Sequence, residues 1–147
     1  MSLSCRLAVA ALALALPLGA SAAQAPAAAP SAPQAVVETE AGSFLIRLRP
    51  DLAPSHVRHF VKTAKAGGYD GTAFHRLIPG GIIQGGDPLS KDPKQTARYG
   101  TGGLGLLQAE FSDAPFVRGV VAAARKSSSK DSGGSQFFIC LTDQPAL

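Results

Sequence analysis

The chain has 147 residues, 46% of them apolar and 16% charged, with no tryptophan and two cysteines. That is material for one core and not two; two cysteines exclude a disulfide scaffold, and one long apolar stretch excludes a polytopic membrane protein. A formal charge of +4 is a mild basic excess, not the dense cationic face of a nucleic-acid binder.

The apolar stretch opens the chain. Arg6 precedes the run Leu7 to Leu16, which is followed by Pro17 and the small residues Gly19-Ala20-Ser21-Ala22. It is shorter than the roughly 20 residues that span a bilayer and has the three-part pattern of a cleavable signal peptide. Residues 1–22 are therefore expected to be a signal peptide, cut before Ala23, and the product to be periplasmic or secreted. Contact with the membrane is expected only through that signal during export. Its removal takes away Arg6 and no acid, leaving 13 basic against 10 acidic side chains. Residues 23–35 contain Pro26, Pro30 and Pro33 among alanines and read as an extended linker.

From residue 36 the pattern is that of a folded domain, expected over 36–147. Val36 to Glu40, the turn Ala41-Gly42, and Ser43 to Arg49 read as a hairpin. Phe44, Ile46 and Leu48 alternate with Leu45, Arg47 and Arg49, which puts three apolar side chains on one face, and Pro50 stops the strand. Pro54 to Ala66 reads as a helix with Val57, Phe60, Val61 and Ala64 in one stripe, ended by Gly67-Gly68. Strands are then expected at Thr72–Leu77, Gly81–Gln84, Gly119–Ala124 and Gln136–Leu141. The class is mainly β: an antiparallel barrel, closed or nearly so, with a helix plugging one end. Cys140 lies inside the apolar run Phe137 to Leu141 and is expected to be a buried, inert thiol.

Two segments offer chemistry. In Phe74-His75-Arg76-Leu77-Ile78-Pro79-Gly80-Gly81-Ile82-Ile83-Gln84-Gly85-Gly86-Asp87, strand alternation puts Phe74 with Arg76, and Ile82 with Gln84. In Ser132-Gly133-Gly134-Ser135-Gln136-Phe137-Phe138-Ile139 it puts Gln136 with Phe138. One fixed cation and two amides beside apolar groups suit an extended peptide with an apolar residue better than a small charged metabolite.

These runs, with Tyr69-Asp70-Gly71-Thr72, Gly100-Thr101-Gly102-Gly103, Glu110-Phe111 and Arg118-Gly119-Val120, resemble the cyclophilin-type peptidyl-prolyl cis-trans isomerases over residues 36–147. The resemblance implies a catalytic arginine at Arg76, aimed at the prolyl nitrogen, and a glutamine at Gln84 that holds the carbonyl before the proline. It implies a proline pocket lined by Phe138 and Ile82, with Gln136 near the peptide backbone. Ala122, Ala123 and Ala124 would border the substrate groove, and Leu147 would join the pocket. Gly81 stands where well-known relatives carry a second pocket phenylalanine, and Ala146 where many carry a tryptophan. The family's closing strands and second helix would follow Leu147, so the barrel is expected to be open-edged. The implied activity is isomerisation of X-Pro bonds in exported proteins, without cofactor or metal, by a monomer whose partners are proline-containing polypeptides and not nucleic acid. The alternative is a non-catalytic proline-peptide-binding or chaperone-like module.

Other features read as structural. His56 and His59, three apart, are expected on a solvated helix face, and His75 is expected to turn away from Arg76. Ser135, His75 and Asp87 lack the setting of a catalytic triad, and the loop Gly100 to Gly103 lacks the continuation of a phosphate cradle. Arg125 to Asp131 reads as an exposed loop.

Overall fold

A computed structural model describes residues 32–147. The expected signal peptide and the larger part of the expected linker lie outside the described residues.

The first strand, β1 (Gln34–Thr39), pairs antiparallel with β2 (Gly42–Arg47). The linker therefore ends earlier than expected: Gln34 already faces Arg47, and the Leu48 amide donates to the Pro33 carbonyl at 2.8 Å. Proline's extended φ is compatible with an edge-strand start, so the prolines do not mark the boundary. The turn needs glycine at 42, where φ is +124°. The expected alternation is present. Ile46 and Leu48 are 6% and 7% exposed while Leu45 is 64% exposed.

Helix α1 (Pro54–Lys65) starts on its proline and ends before Gly67 at φ +68°. Its apolar stripe is narrower than expected. Val57, Phe60 and Val61 are half-buried, Ala64 is exposed, and the helix buries no residue completely. The helix supplies no N-cap side chain of its own; Glu110, from a distant loop, accepts from the amides of Ser55 and His56 at 3.0 Å.

A four-stranded antiparallel sheet follows, in the order β3 (Arg76–Leu77), β4 (Ile82–Gly85), β6 (Phe137–Cys140), β5 (Val121–Ala123). The strand expected at Thr72–Leu77 shrinks to two residues. Its would-be partner ends at Gly85, because Gly86 at φ +81° turns the chain away, and the Ala73 amide goes instead to Ser90 Oγ at 2.9 Å. Two short 3-10 helices, Pro88–Lys91 and Pro93–Arg98, carry the chain across to the glycine loop.

The pleat gives this sheet two chemically different faces. Leu77, Ile83, Ile139 and Val121 form one row, and the next row on that face is Gly85, Phe137 and Ala123. Phe137 there meets the rings of Phe60, Tyr69 and Phe74 at centroid distances of 6.1, 5.9 and 6.1 Å, edge to face. Gly85 is required by this cluster, since a Cβ would lie 2.9 Å from the Phe74 ring. Burial pushes the Cys140 thiol above its ordinary pKa, with Asp143 adding to the shift, which suits the inert role.

Among the described residues the two sheets share no ladder, so the β structure they form is open and not a closed barrel. Residues of β2, α1 and the larger sheet line a cavity of about 1700 Å³.

Candidate active site

The β3–β4 hairpin is built by local turn chemistry. The Gly81 amide donates to Ile78 O at 2.9 Å, the Ile78 amide to Ile82 O at 2.8 Å, and Gly80 takes φ +68°. This register sets Arg76 directly opposite Gln84. Gln84 faces Phe138, and Phe138 faces Ala122, so Arg76, Gln84, Phe138 and Ala122 form one row on one face of the sheet. Ile82 lies on the same face, two residues along β4.

Hydrogen bonds run along this row and behind it. Arg76 Nη1 donates to Gln84 Oε1 at 3.1 Å, Gln84 Nε2 to Gln136 Oε1 at 2.8 Å, and Gln136 Nε2 to the Gly102 carbonyl at 2.6 Å. Arg76 is exposed and keeps its other N–H donors free for the cavity it lines. Gln84 retains one unused amide N–H. Phe116 stacks on Phe138 with centroids 6.0 Å apart and planes 23° apart. The Gln144 amide donates to Phe116 O at 2.7 Å, which brings Leu147, 61% exposed, to the rim of the same apolar patch.

Three expected positions differ. Gln136 is 1% exposed with both ends of its amide engaged on Gln84 and Gly102, so it buttresses Gln84. Ala123 pairs with Phe137, so its side chain faces away from Phe138, whereas Ala122 shares the site face. Ala123 brings backbone instead. The Ala124 amide donates to Gln136 O and the Cys140 amide to Val120 O, both at 2.9 Å, so alternate residues Val121 and Ala123 turn their N–H and C=O to the free edge of β5. Ala124 is buried. At Gly81, a Cβ would lie 2.9 Å from Ile78 Cγ2, so a larger residue there would displace Ile78.

The solvated reading of the helix histidines does not hold. His56 Nδ1 lies 2.9 Å from Glu110 Oε2, and Nε2 of His59 is buried. Burial raises the Glu110 pKa, but hydrogen bonds from His56 and from the Ser55 and His56 amides outweigh it and pull the carboxyl down to about 2. The pair was invisible in the sequence because its members are 54 positions apart. Among the described residues no cluster of three or more His, Cys, Asp or Glu could hold a metal.

His75 stands edge-on to Tyr99 with centroids 6.4 Å apart, and Ser135 Oγ donates to Gly86 O at 2.7 Å. The Asp87 carboxylate accepts from the amides of Leu89, Gly100 and Gly102, so no triad forms and the glycine loop has no amide pair left for a phosphate. Sequence reasoning missed Phe116, Glu110 and this use of Asp87; only Asp87 and Glu110 had a signal, lying inside motifs that carried the resemblance.

The family model for cyclophilin type peptidyl-prolyl cis-trans isomerase matches residues 35–147. The chain belongs to that family. A probable peptidyl-prolyl cis-trans isomerase of Brucella suis is 45% identical over 117 residues, covering 76% of this chain and 59% of the relative. The chain thus spans less than two thirds of that relative's length. A peptidyl-prolyl cis-trans isomerase of Synechococcus elongatus is 41% identical, covering 78% of this chain and 72% of its own. Among solved structures, a Cryptosporidium parvum cyclophilin type isomerase crystallised in the presence of the dipeptide Ala-Pro superposes with a TM-score of 0.65 at 29% identity, over 76% of this chain and 70% of its own. A Hirschia baltica cyclophilin shares the fold, with a TM-score of 0.62 at 24% identity over 80% and 60% of the two chains. The cyclophilin topology of strands capped by one helix is therefore present here with its sheet open.

Proposed function

We propose that this protein accelerates cis-trans isomerisation of X-Pro bonds in exported polypeptides, acting as a monomer. The observation that carries the reading is the Arg76 guanidinium held by Gln84 at 3.1 Å, in one sheet row with Phe138 and Ala122. Amide resonance sets a barrier of roughly 18–20 kcal/mol. Twisting the bond returns the lone pair to nitrogen, and a guanidinium N–H aimed there stabilises only the twisted state. Each gain of about 1.4 kcal/mol in that state alone is tenfold in rate. Arginine suits the task because it stays protonated at every working pH.

The proline ring would rest on Phe138, with Ile82 and Ala122 beside it. The unused N–H of Gln84 would take the preceding carbonyl, and the free edge of β5 at Ala123 would pair with the peptide backbone. No nucleophile or acid–base pair is called for. Arg76→Ala is expected to lower kcat/KM in a protease-coupled proline-peptide assay by about 100-fold or more, with the circular dichroism of the folded chain retained. Equal rates for the two proteins overturn the isomerase reading and favour a peptide-binding module. The signal-like pattern from Arg6 to Ala22 supports export to the periplasm or beyond; N-terminal sequencing of the exported product should begin at Ala23.

A further inference from the structure

The most enclosed large side chains of the described domain are two polar ones and a thiol: Gln136, Asp87 and Cys140. Gln136 has a place in the site, and Cys140 is an inert filler. Asp87 needs its own explanation, because a carboxylate that is 0% exposed is costly to bury without a charged partner, and it forms no salt bridge among the described residues.

Its two oxygens are fully used on backbone. Oδ1 accepts from Leu89 N at 2.8 Å, while Oδ2 accepts from Gly100 N and, at 3.2 Å, from Gly102 N. The segment so gathered, Gly100-Thr101-Gly102-Gly103, has no apolar side chain with which to anchor itself. Its fit against the carboxylate is close: a Cβ at Gly102 would collide with Asp87 Oδ1 and come within 2.8 Å of Leu89 Cγ. Gly103 is tied separately, its carbonyl accepting from Ser135 N at 2.8 Å. The carboxylate ties the Gly102 amide, and the carbonyl of the same residue accepts from Gln136 Nε2 at 2.6 Å. Gln136 in turn holds Gln84, and Gln84 holds Arg76.

We propose that Asp87 is a positioning residue for Arg76, acting through the Gly102 carbonyl, Gln136 and Gln84. The proposal rests on the isomerase reading for its kinetic consequence. A buried charge fixed by several amides resists displacement, and each link downstream has its partner oriented by the one before it. The guanidinium is thereby presented in one orientation before substrate arrives. Preorganised donors act in the twisted state, so loosening the far end should lower kcat and leave KM in place.

The test is a double-mutant cycle on the 147-residue chain. Asp87→Asn sets an amide NH2 against backbone N–H donors. It is expected to lower kcat about tenfold with KM unchanged, and to shift the side-chain amide NMR signals of Gln136 and Gln84. In a Gln136→Met background the same substitution should cost nothing further, because the line is already cut. Equal losses in both backgrounds, or unmoved amide signals with kcat within about twofold of wild type, overturn the proposal. Should Asp87→Asn fail to fold, Gly102→Ala keeps the carboxylate and displaces the loop; the same loss of kcat is expected, and unaltered kcat with unmoved amide signals overturns the inference. If the wild-type chain does not isomerise, the isomerase reading fails on its own, and the amide signals decide whether Asp87 orders Gln136.

Discussion

The two halves of this domain are held together by different physics. Around β4 and β6 the enclosed groups, the Cys140 thiol apart, are polar and satisfied: Asp87 on three amides, Ser135 on Gly86, and Gln136 on Gln84 and Gly102. Around β1, β2 and α1 the order comes from sparse apolar burial, with only Ile46 and Leu48 enclosed and no helix residue fully covered. The site belongs to the first half. Its geometry is therefore determined by directional bonds, which specify orientation, and depends little on the half where non-directional burial dominates.

Amide exchange should show the largest contrast. Amides in β4 and β6 are expected to exchange about a hundredfold or more slowly than those of β1, β2 and α1, and equal protection would erase the distinction between the halves. Ile46→Ala should cost on the order of 2–4 kcal/mol in urea unfolding while leaving the turnover of the folded fraction unchanged. A fall in turnover that exceeds the loss of folded protein would show that the halves are coupled. Acid gives a smaller effect. The Glu110 carboxyl is pulled from an ordinary 4.5 to about 2 in the folded chain, so its contribution to stability is complete above its ordinary value and is lost as pH falls toward about 2. Glu110→Gln should flatten the stability profile across that window; an unchanged profile would mean that the tie to α1 contributes nothing. Leu45→Ala, on the exposed face one residue from Ile46, should change stability by no more than about 0.5 kcal/mol.

Features with a short period are legible in the sequence alone. The hairpin, the helix and the sharing of a face by Ile82 with Gln84 all follow from periods of two or 3.6 residues and from turn chemistry. The same period separates Ala122 from Ala123, and strand alternation admits only one of the two to the site face. The boundary at Gln34 is obscured because proline suits both a linker and a strand start. The strand before Arg76 is shorter than its propensity suggests because its partner turns away, which no local pattern records.

By itself the sequence determined the first hairpin, the helix and the family, since these depend on near neighbours and on motifs. Only the tertiary structure decided that Gln136 is a buttress, that His56 is paired with Glu110, and that Asp87 grips the glycine loop. Those roles depend on which donors and acceptors meet after the chain has folded back on itself. A hydrogen bond is specified by distance and angle in space, and neither is encoded in sequence separation.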